Sequence, residues 1–249
     1  MWIYFPPSYA PADPWRYPCL YLHDGQNVFD AKTSAFGVEW GVDEAAEGLI
    51  LEGKIDPIMI IGVANSPERI AHYTPFPDPE QGGGQGNLYR SFLIDELKPW
   101  IDANFPTRKG SRETAIAGSS LGGLSALYMS WTRPDVFGMV AALSPSLWWG
   151  HRKLITRIGG DQKMLKPYRI WIDMGTGEST TDDNDNQVPD LIDDLRTLRA
   201  VLLAQGYRLN EDLFYREIIG GVHDEASWGA RVADVLTCLF PVSSTNLTF

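Results

Sequence analysis

The sequence is short of cysteine, of histidine and of positive charge, and it has no long apolar run. Its 249 residues include two cysteines, Cys19 and Cys238. Neither belongs to a CxxC, so a zinc or thiol redox site is not expected. Cys19 lies in an apolar stretch and Cys238 in an expected amphipathic helix, and both are expected to be buried, reduced thiols. Histidine occurs four times, at His23, His72, His151 and His223, so an imidazole base draws on a short list. Lys and Arg total 21 against 32 Asp and Glu, a net charge of −11. An acidic surface of that size repels phosphate backbones, and nucleic acid is not an expected partner. Apolar stretches such as Ile58–Ala64 are too short to span a bilayer, so no membrane partner is expected either. The opening Met1-Trp2-Ile3-Tyr4-Phe5-Pro6-Pro7 shows neither the basic nor the apolar region of a secretory signal, and a cytoplasmic location is expected. No 20–50-residue repeat recurs. Gly82-Gly83-Gly84-Gln85-Gly86 lacks the Gly-Lys-Ser/Thr of a phosphate loop.

What remains is an ordinary globular composition, 44% hydrophobic and 21% charged, with short apolar runs alternating with helix-like stretches. Strands are predicted at Trp2–Phe5, Tyr17–Leu22, Ile58–Ala64, Thr114–Ala117, Met139–Leu143, Arg169–Met174 and Leu213–Ile219. Several are apolar throughout, as strands covered on both faces require. Helices are predicted at Val42–Leu51, Leu88–Asn104 (kinked or divided by Pro99), Leu121–Thr132, Asp190–Gln205 and Glu225–Phe240. This alternation predicts a doubly wound, mostly parallel sheet with helices on both faces. No linker divides the composition, so residues 1–249 read as one α/β domain. Asn65–Asn87 has no clear period, and a loop of that length is usually functional or mobile. Thr181–Asp190 is rich in Asp but lacks the glycine and terminal Glu of an EF-hand, and reads as a solvated acidic loop.

The strongest chemical signal is Gly118-Ser119-Ser120-Leu121-Gly122. A strand runs into this G-x-S-x-G and a helix runs out, the setting of a nucleophile elbow with Ser120 at its tip. The tight turn needs the small residues Gly118 and Gly122. It also places the Leu121 N–H, at a helix N-terminus, beside a developing oxyanion. A serine needs a base, and in sheets of this kind the acid and then the histidine follow it in the chain. His151 lies in a basic stretch that reads as surface. His223 follows a strand and precedes the last helix, and is the candidate base. The acid is expected after Arg169–Met174. Glu178, in a glycine-rich turn just past that strand, and Asp173, within it, are the nearest candidates; Asp182, Asp183 and Asp190 are more distant. The loop His23-Asp24-Gly25-Gln26-Asn27 offers the Gln26 N–H as a second oxyanion donor. His23 and Asp24 precede the serine and are expected to shape this loop.

These segments together resemble the esterase D-like family of α/β hydrolases. It includes enterochelin esterases, feruloyl and acetyl-xylan esterases of carbohydrate esterase family one, S-formylglutathione hydrolases and mycolyltransferases. The resemblance runs from Tyr4-Phe5-Pro6-Pro7 to Leu239-Phe240. It rests on Tyr21-Leu22-His23-Asp24-Gly25-Gln26-Asn27, Gly118–Gly123, Ser144-Pro145-Ser146-Leu147-Trp148-Trp149, Gly175-Thr176-Gly177-Glu178 and Gly221-Val222-His223-Asp224. It implies an α/β-hydrolase fold, with Ser120 as nucleophile, His223 as base and Glu178 as acid. Glu stands where the feruloyl esterases often have Asp. The implied reaction is hydrolysis of a small-molecule or glycan carboxylic ester, acylated carbohydrate or feruloyl-type, with no metal or organic cofactor. Transfer of the acyl group to a sugar or alcohol is the alternative within enzymes, and a binding module without catalysis the alternative outside them. Trp148 and Trp149, with Tyr73 from the long loop, are expected to wall the substrate site. Arg69 is expected to be a solvated cation.

Overall fold

Seven short runs pair into one sheet: the five inner ones are apolar enough to be covered on both faces, and the edge runs Trp2–Tyr4 and Leu213–Ile218 are only partly buried. The computed structural model describes residues 1–11, 14–162 and 165–242. In chain order the elements are β1 (Trp2–Tyr4), β2 (Cys19–His23), α1 (Val42–Leu51), β3 (Met59–Val63), α2 (Arg69–Tyr73), β4 (Pro77–Asp78) and β5 (Gly82–Gly83). Then come α3 (Gly86–Ser91), a π-helical stretch at Phe92–Leu97, α4 (Lys98–Asn104), β6 (Thr114–Ser119), α5 (Leu121–Thr132), β7 (Met139–Leu143) and α6 (Trp149–Gly160). The chain continues through β8 (Arg169–Gly175), α7 (Asp190–Ala204), β9 (Leu213–Ile218), α8 (Glu225–Gly229) and α9 (Val232–Leu239). The sheet order is β1-β3-β2-β6-β7-β8-β9, with β4 and β5 forming a separate hairpin. β1 runs antiparallel to β3, and the other pairs are parallel.

The pleat divides the core. Tyr21, Val140, Ile170 and Ile172 face a cluster built with helices α3 to α7, including Leu124, Ile158 and Leu198. Their neighbours Leu20, Ala141 and Trp171 face a second cluster with Val42, Leu49, Val235 and Leu239 from α1 and α9. Among the described residues no helix is long and apolar enough to cross a membrane. Cys19 and Cys238 are buried free thiols, and burial pushes both up to about 12.

The seven expected strands all form, one with both ends as expected and the others with an end shifted by at most two residues. Two helical expectations change, and a further helix appears. The stretch before Pro99 is π-helical rather than α-helical, since proline supplies no N–H to the turn that precedes it. The expected Glu225–Phe240 helix is two, because the chain turns between Gly229 and Val232 to place Arg231 inside the protein, 4% exposed. Helix α6 is not among the expected helices, although Leu154, Ile155 and Ile158 share a buried face. Its first turn bends through left-handed residues at Gly150, His151 and Arg152. The aperiodic Asn65–Asn87 stretch folds into α2 and the β4–β5 hairpin.

Parallel strands set their following loops at one edge of the sheet. At that edge lie the turns after β2, β6, β7, β8 and β9, and these five turns build the site.

Candidate active site

Ser120 follows β6 directly and caps α5, with φ 55° and ψ −124°. That conformation is strained for a residue with a side chain, and it persists only where packing fixes it. The packing is visible at Gly118, where an added Cβ would lie 2.8 Å from the carbonyl carbon of Gly122. Strand and helix touch backbone to backbone, and the serine is lifted clear at the bend.

His223 reaches Ser120 from the loop after β9, with Nε2 3.0 Å from the serine Oγ. Its Nδ1 lies 2.7 Å from Glu178 Oε2. The turn carrying Glu178 and the loop carrying His223 are joined through glycine. A Cβ on Gly175 would sit 2.3 Å from the Gly221 carbonyl oxygen, and the Gly177 N–H donates to that oxygen at 2.9 Å. The glutamate side chain is fully enclosed, whereas that of the histidine is 41% exposed. Burial would raise the Glu178 carboxyl. Hydrogen bonds from His223, from Ser144 Oγ and from the Gly175 N–H outweigh burial and hold it below the ordinary glutamate range.

Asp173 stands elsewhere. It shares the pleat face of Trp171, and its carboxylate is completely buried against Arg231, with Nη1 donating to Oδ1 at 2.6 Å. Trp171 Nε1 and the Ser144 N–H complete its shell. Burial pushes this carboxyl up, and the three donors oppose that shift. Asp182 and Asp190 accept hydrogen bonds from backbone N–H groups of their own loop, Asp190 that of Asp183, so these carboxylates knit the loop rather than meet His223.

Gln26 lies in a short 3₁₀ turn after β2 and lines a cavity of about 360 Å³ together with Ser120 and His223. Leu121 is the first residue of α5. Helix geometry leaves its N–H without an intrahelical acceptor.

Three expectations about the walls are corrected. Trp149 is 3% exposed, its Nε1 donating to the Phe76 carbonyl at 2.7 Å, and it belongs to the core. Tyr73 is also buried; its hydroxyl accepts from the Asp24 N–H at 3.0 Å, so it braces the loop carrying Gln26. Trp148 is exposed, but neither tryptophan nor Tyr73 lines the cavity beside Ser120. Aromatic surface there comes from Phe36, Trp40 and Trp228 instead. We expect Trp149→Ala to cost about 3–5 kcal/mol of stability and Trp148→Ala about 0.5 kcal/mol or less, as read by denaturant unfolding.

Arg69 is no solvated cation. It holds Asp24 bidentately, Nε to Oδ1 at 2.8 Å and Nη2 to Oδ2 at 2.7 Å. His23 and Asp24 shape the loop as expected, through partners distant in sequence. His23 Nδ1 lies 3.0 Å from the Tyr89 hydroxyl, and burial lowers this imidazole to about 4, so it is neutral at pH 7.

Sequence reasoning gave no role to Ser144, Ser146 and Arg231. Ser146 Oγ is 3.4 Å from Ser120 Oγ. Ser144 Oγ donates to Glu178 and accepts from Trp228 Nε1 at 3.0 Å and Arg231 Nη1 at 3.2 Å. The motif Ser144-Pro145-Ser146 was the available signal, but nothing local says which hydroxyl meets which partner.

A mostly parallel sheet with a serine elbow before α5 and a histidine on its last loop defines an α/β hydrolase. The chain belongs to the family described as "Putative esterase", matched over residues 1–238, and is a carboxylic ester hydrolase. It is similar to the ferri-bacillibactin esterase BesA of Bacillus subtilis, 29% identical over 222 residues, covering 80% of this chain and 72% of that protein. It is 33% identical over 139 residues to an iron(III) enterobactin esterase of Escherichia coli, covering 53% of this chain and 31% of that protein. The match thus spans about a third of that relative's length. Among solved structures, a carbohydrate esterase family one ferulic acid esterase from Anaeromyces mucronatus superposes with a TM-score of 0.65. It is 22% identical, and the match covers 94% of this chain and 82% of that one.

Proposed function

We propose that this protein hydrolyses small carboxylic esters through an acyl-enzyme on Ser120. One observation carries the reading: an unbroken path from Ser120 Oγ through the two nitrogens of His223 to the enclosed Glu178. With Nδ1 donating to the carboxylate, Nε2 is the acceptor for the serine proton. Ser120 Oγ bonds to the ester carbonyl carbon while His223 takes that proton. The oxyanion is met by the N–H groups of Leu121 and Gln26. His223 returns the proton to the leaving alcohol as the ester C–O bond breaks. A water then loses a proton to His223 and adds to the acyl carbon. Collapse of that adduct frees the acid, and the proton goes back to Ser120. Exposure of the histidine gives water a route to the acyl-enzyme, which favours hydrolysis over transfer to another acceptor. The aromatic part of the cavity wall favours acyl or alcohol groups with flat or bulky surfaces, as in aromatic or acylated-carbohydrate esters.

A fluorophosphonate probe tests the nucleophile directly. One adduct per chain is expected, on Ser120 by peptide mass spectrometry, with p-nitrophenyl acetate hydrolysis lost in step. Full activity after stoichiometric treatment, or an adduct on Ser146 alone, overturns this assignment.

A further inference from the structure

The cavity beside Ser120 contains more acidic side chains than its chemistry uses. Asp24, Arg69 and Glu225 all line it. Asp24 is fully engaged. Its Oδ1 accepts from Asn65 Nδ2 at 2.6 Å and from Arg69 Nε, and its Oδ2 accepts from Arg69 Nη2. Arg69 in turn spends its charge on Asp24 and lies over the Tyr73 ring, 5.0 Å from its centroid. This pair is close to neutral as seen from the cavity, and its guanidinium is not poised to receive an anionic ligand.

Glu225 is different. It is 6% exposed, yet no Lys or Arg among the described residues lies within ion-pair distance of it. The one hydrogen bond its carboxylate takes from another described residue comes from Asn27 Nδ2, 3.1 Å from Oε1. Asn27 is itself held by the Ala35 N–H, which donates to its Oδ1 at 3.0 Å. The Glu225 carboxylate is therefore fixed in orientation, with acceptor capacity left over at the cavity wall. Burial, with the carboxylates of Asp224 and Asp24, pushes the Glu225 carboxyl up, so another negative charge in this space is disfavoured. A buried carboxylate with spare acceptor capacity is stabilised by a ligand that donates to it.

We propose that Glu225 is a specificity-determining residue that accepts a hydrogen bond from a hydroxyl or ammonium group of the ester and turns away esters carrying an anion near the scissile bond. The proposal rests on the site reading above. It goes further by assigning the site a charge preference and naming the residue that sets it.

The test uses matched competitors of p-nitrophenyl acetate hydrolysis: benzylamine (cationic at pH 7), benzyl alcohol and benzoate. Benzylammonium is expected to inhibit at least about tenfold more tightly than benzoate, with benzyl alcohol between them. Glu225→Gln keeps an acceptor for Asn27 and removes the charge; it should shrink the benzylammonium-to-benzoate ratio about tenfold. Glu225→Asp should keep the order. Equal or tighter inhibition by benzoate in the wild-type protein overturns the proposal, and that result needs no variant. The expected order with an unchanged ratio in Glu225→Gln overturns the assignment to this residue. Failure of the site reading looks different: Ser120→Ala would then still hydrolyse the ester, whatever the order of the competitors.

Discussion

Ser120→Ala and His223→Ala will each lower kcat for p-nitrophenyl acetate by about 10⁴-fold or more, and the double variant will be little worse than either. The physical reason is the shared proton. Ser120 Oγ and His223 Nε2 lie 3.0 Å apart, and neither attack nor leaving-group protonation proceeds without both. Removing the second group after the first therefore removes nothing that still works. Any residual rate is expected to come from the proposed oxyanion donors and from binding. Folding should survive, since His223 lies on an exposed loop and alanine relieves rather than adds crowding at the strained Ser120. Thermal unfolding beside steady-state kinetics separates the two effects. Losses that multiply in the double variant, or near wild-type turnover by either single variant, would refute a common proton path.

The second large effect distinguishes two carboxylates five residues apart. Glu178→Gln keeps size and removes charge, and should cost about 10³- to 10⁴-fold in kcat with the fold retained. The glutamine can no longer compensate the imidazolium that forms on His223, 2.7 Å away. Asp173→Asn should behave in the opposite way. It removes the nearer ionic partner of Arg231, 4% exposed, and leaves only the Glu178 carboxylate, 3.8 Å from Nη2; breaking a buried pair of this kind costs about 3–5 kcal/mol. Stability then falls first, and kcat falls only as far as Ser144 and Arg231 loosen their hold on Glu178. Parallel kinetic and denaturant series read this split. A folded Asp173→Asn protein without activity, beside a fully active Glu178→Gln protein, would move the acid to Asp173.

Much of this site was legible in the sequence because it depends on local order. A short apolar strand, a G-x-S-x-G and a helix specify the elbow at Ser120, since only small flanking residues let strand and helix meet so closely. His223 stood out because few histidines follow the serine and it alone follows a strand. The strand pattern was plain for a similar reason: strands buried on both faces are short apolar runs bounded by polar turns. Helix α6 went unpredicted although Leu154, Ile155 and Ile158 share one buried face; its first turn, bent at Gly150–Arg152, and Trp149, anchored in the core, hide where it begins. The Trp148-Trp149 pair misled for the same reason. Adjacent tryptophans do not reveal which one turns inward.

By itself, the sequence marked Ser120 and His223 as the candidate nucleophile and base, and gave the order of strands along the chain and the edge of the sheet where the two meet. All of these follow from residues within a few positions of one another and from the handedness of parallel connections. Only the tertiary structure brought Glu178 against His223 and Asp173 against Arg231, paired Arg69 with Asp24 across 45 residues, and put Glu225 in the cavity wall beside Asn27, 198 residues away. Those choices turn on which face of a pleat a side chain takes and which distant backbone approaches it. Packing settles both, and no local pattern of residues records either.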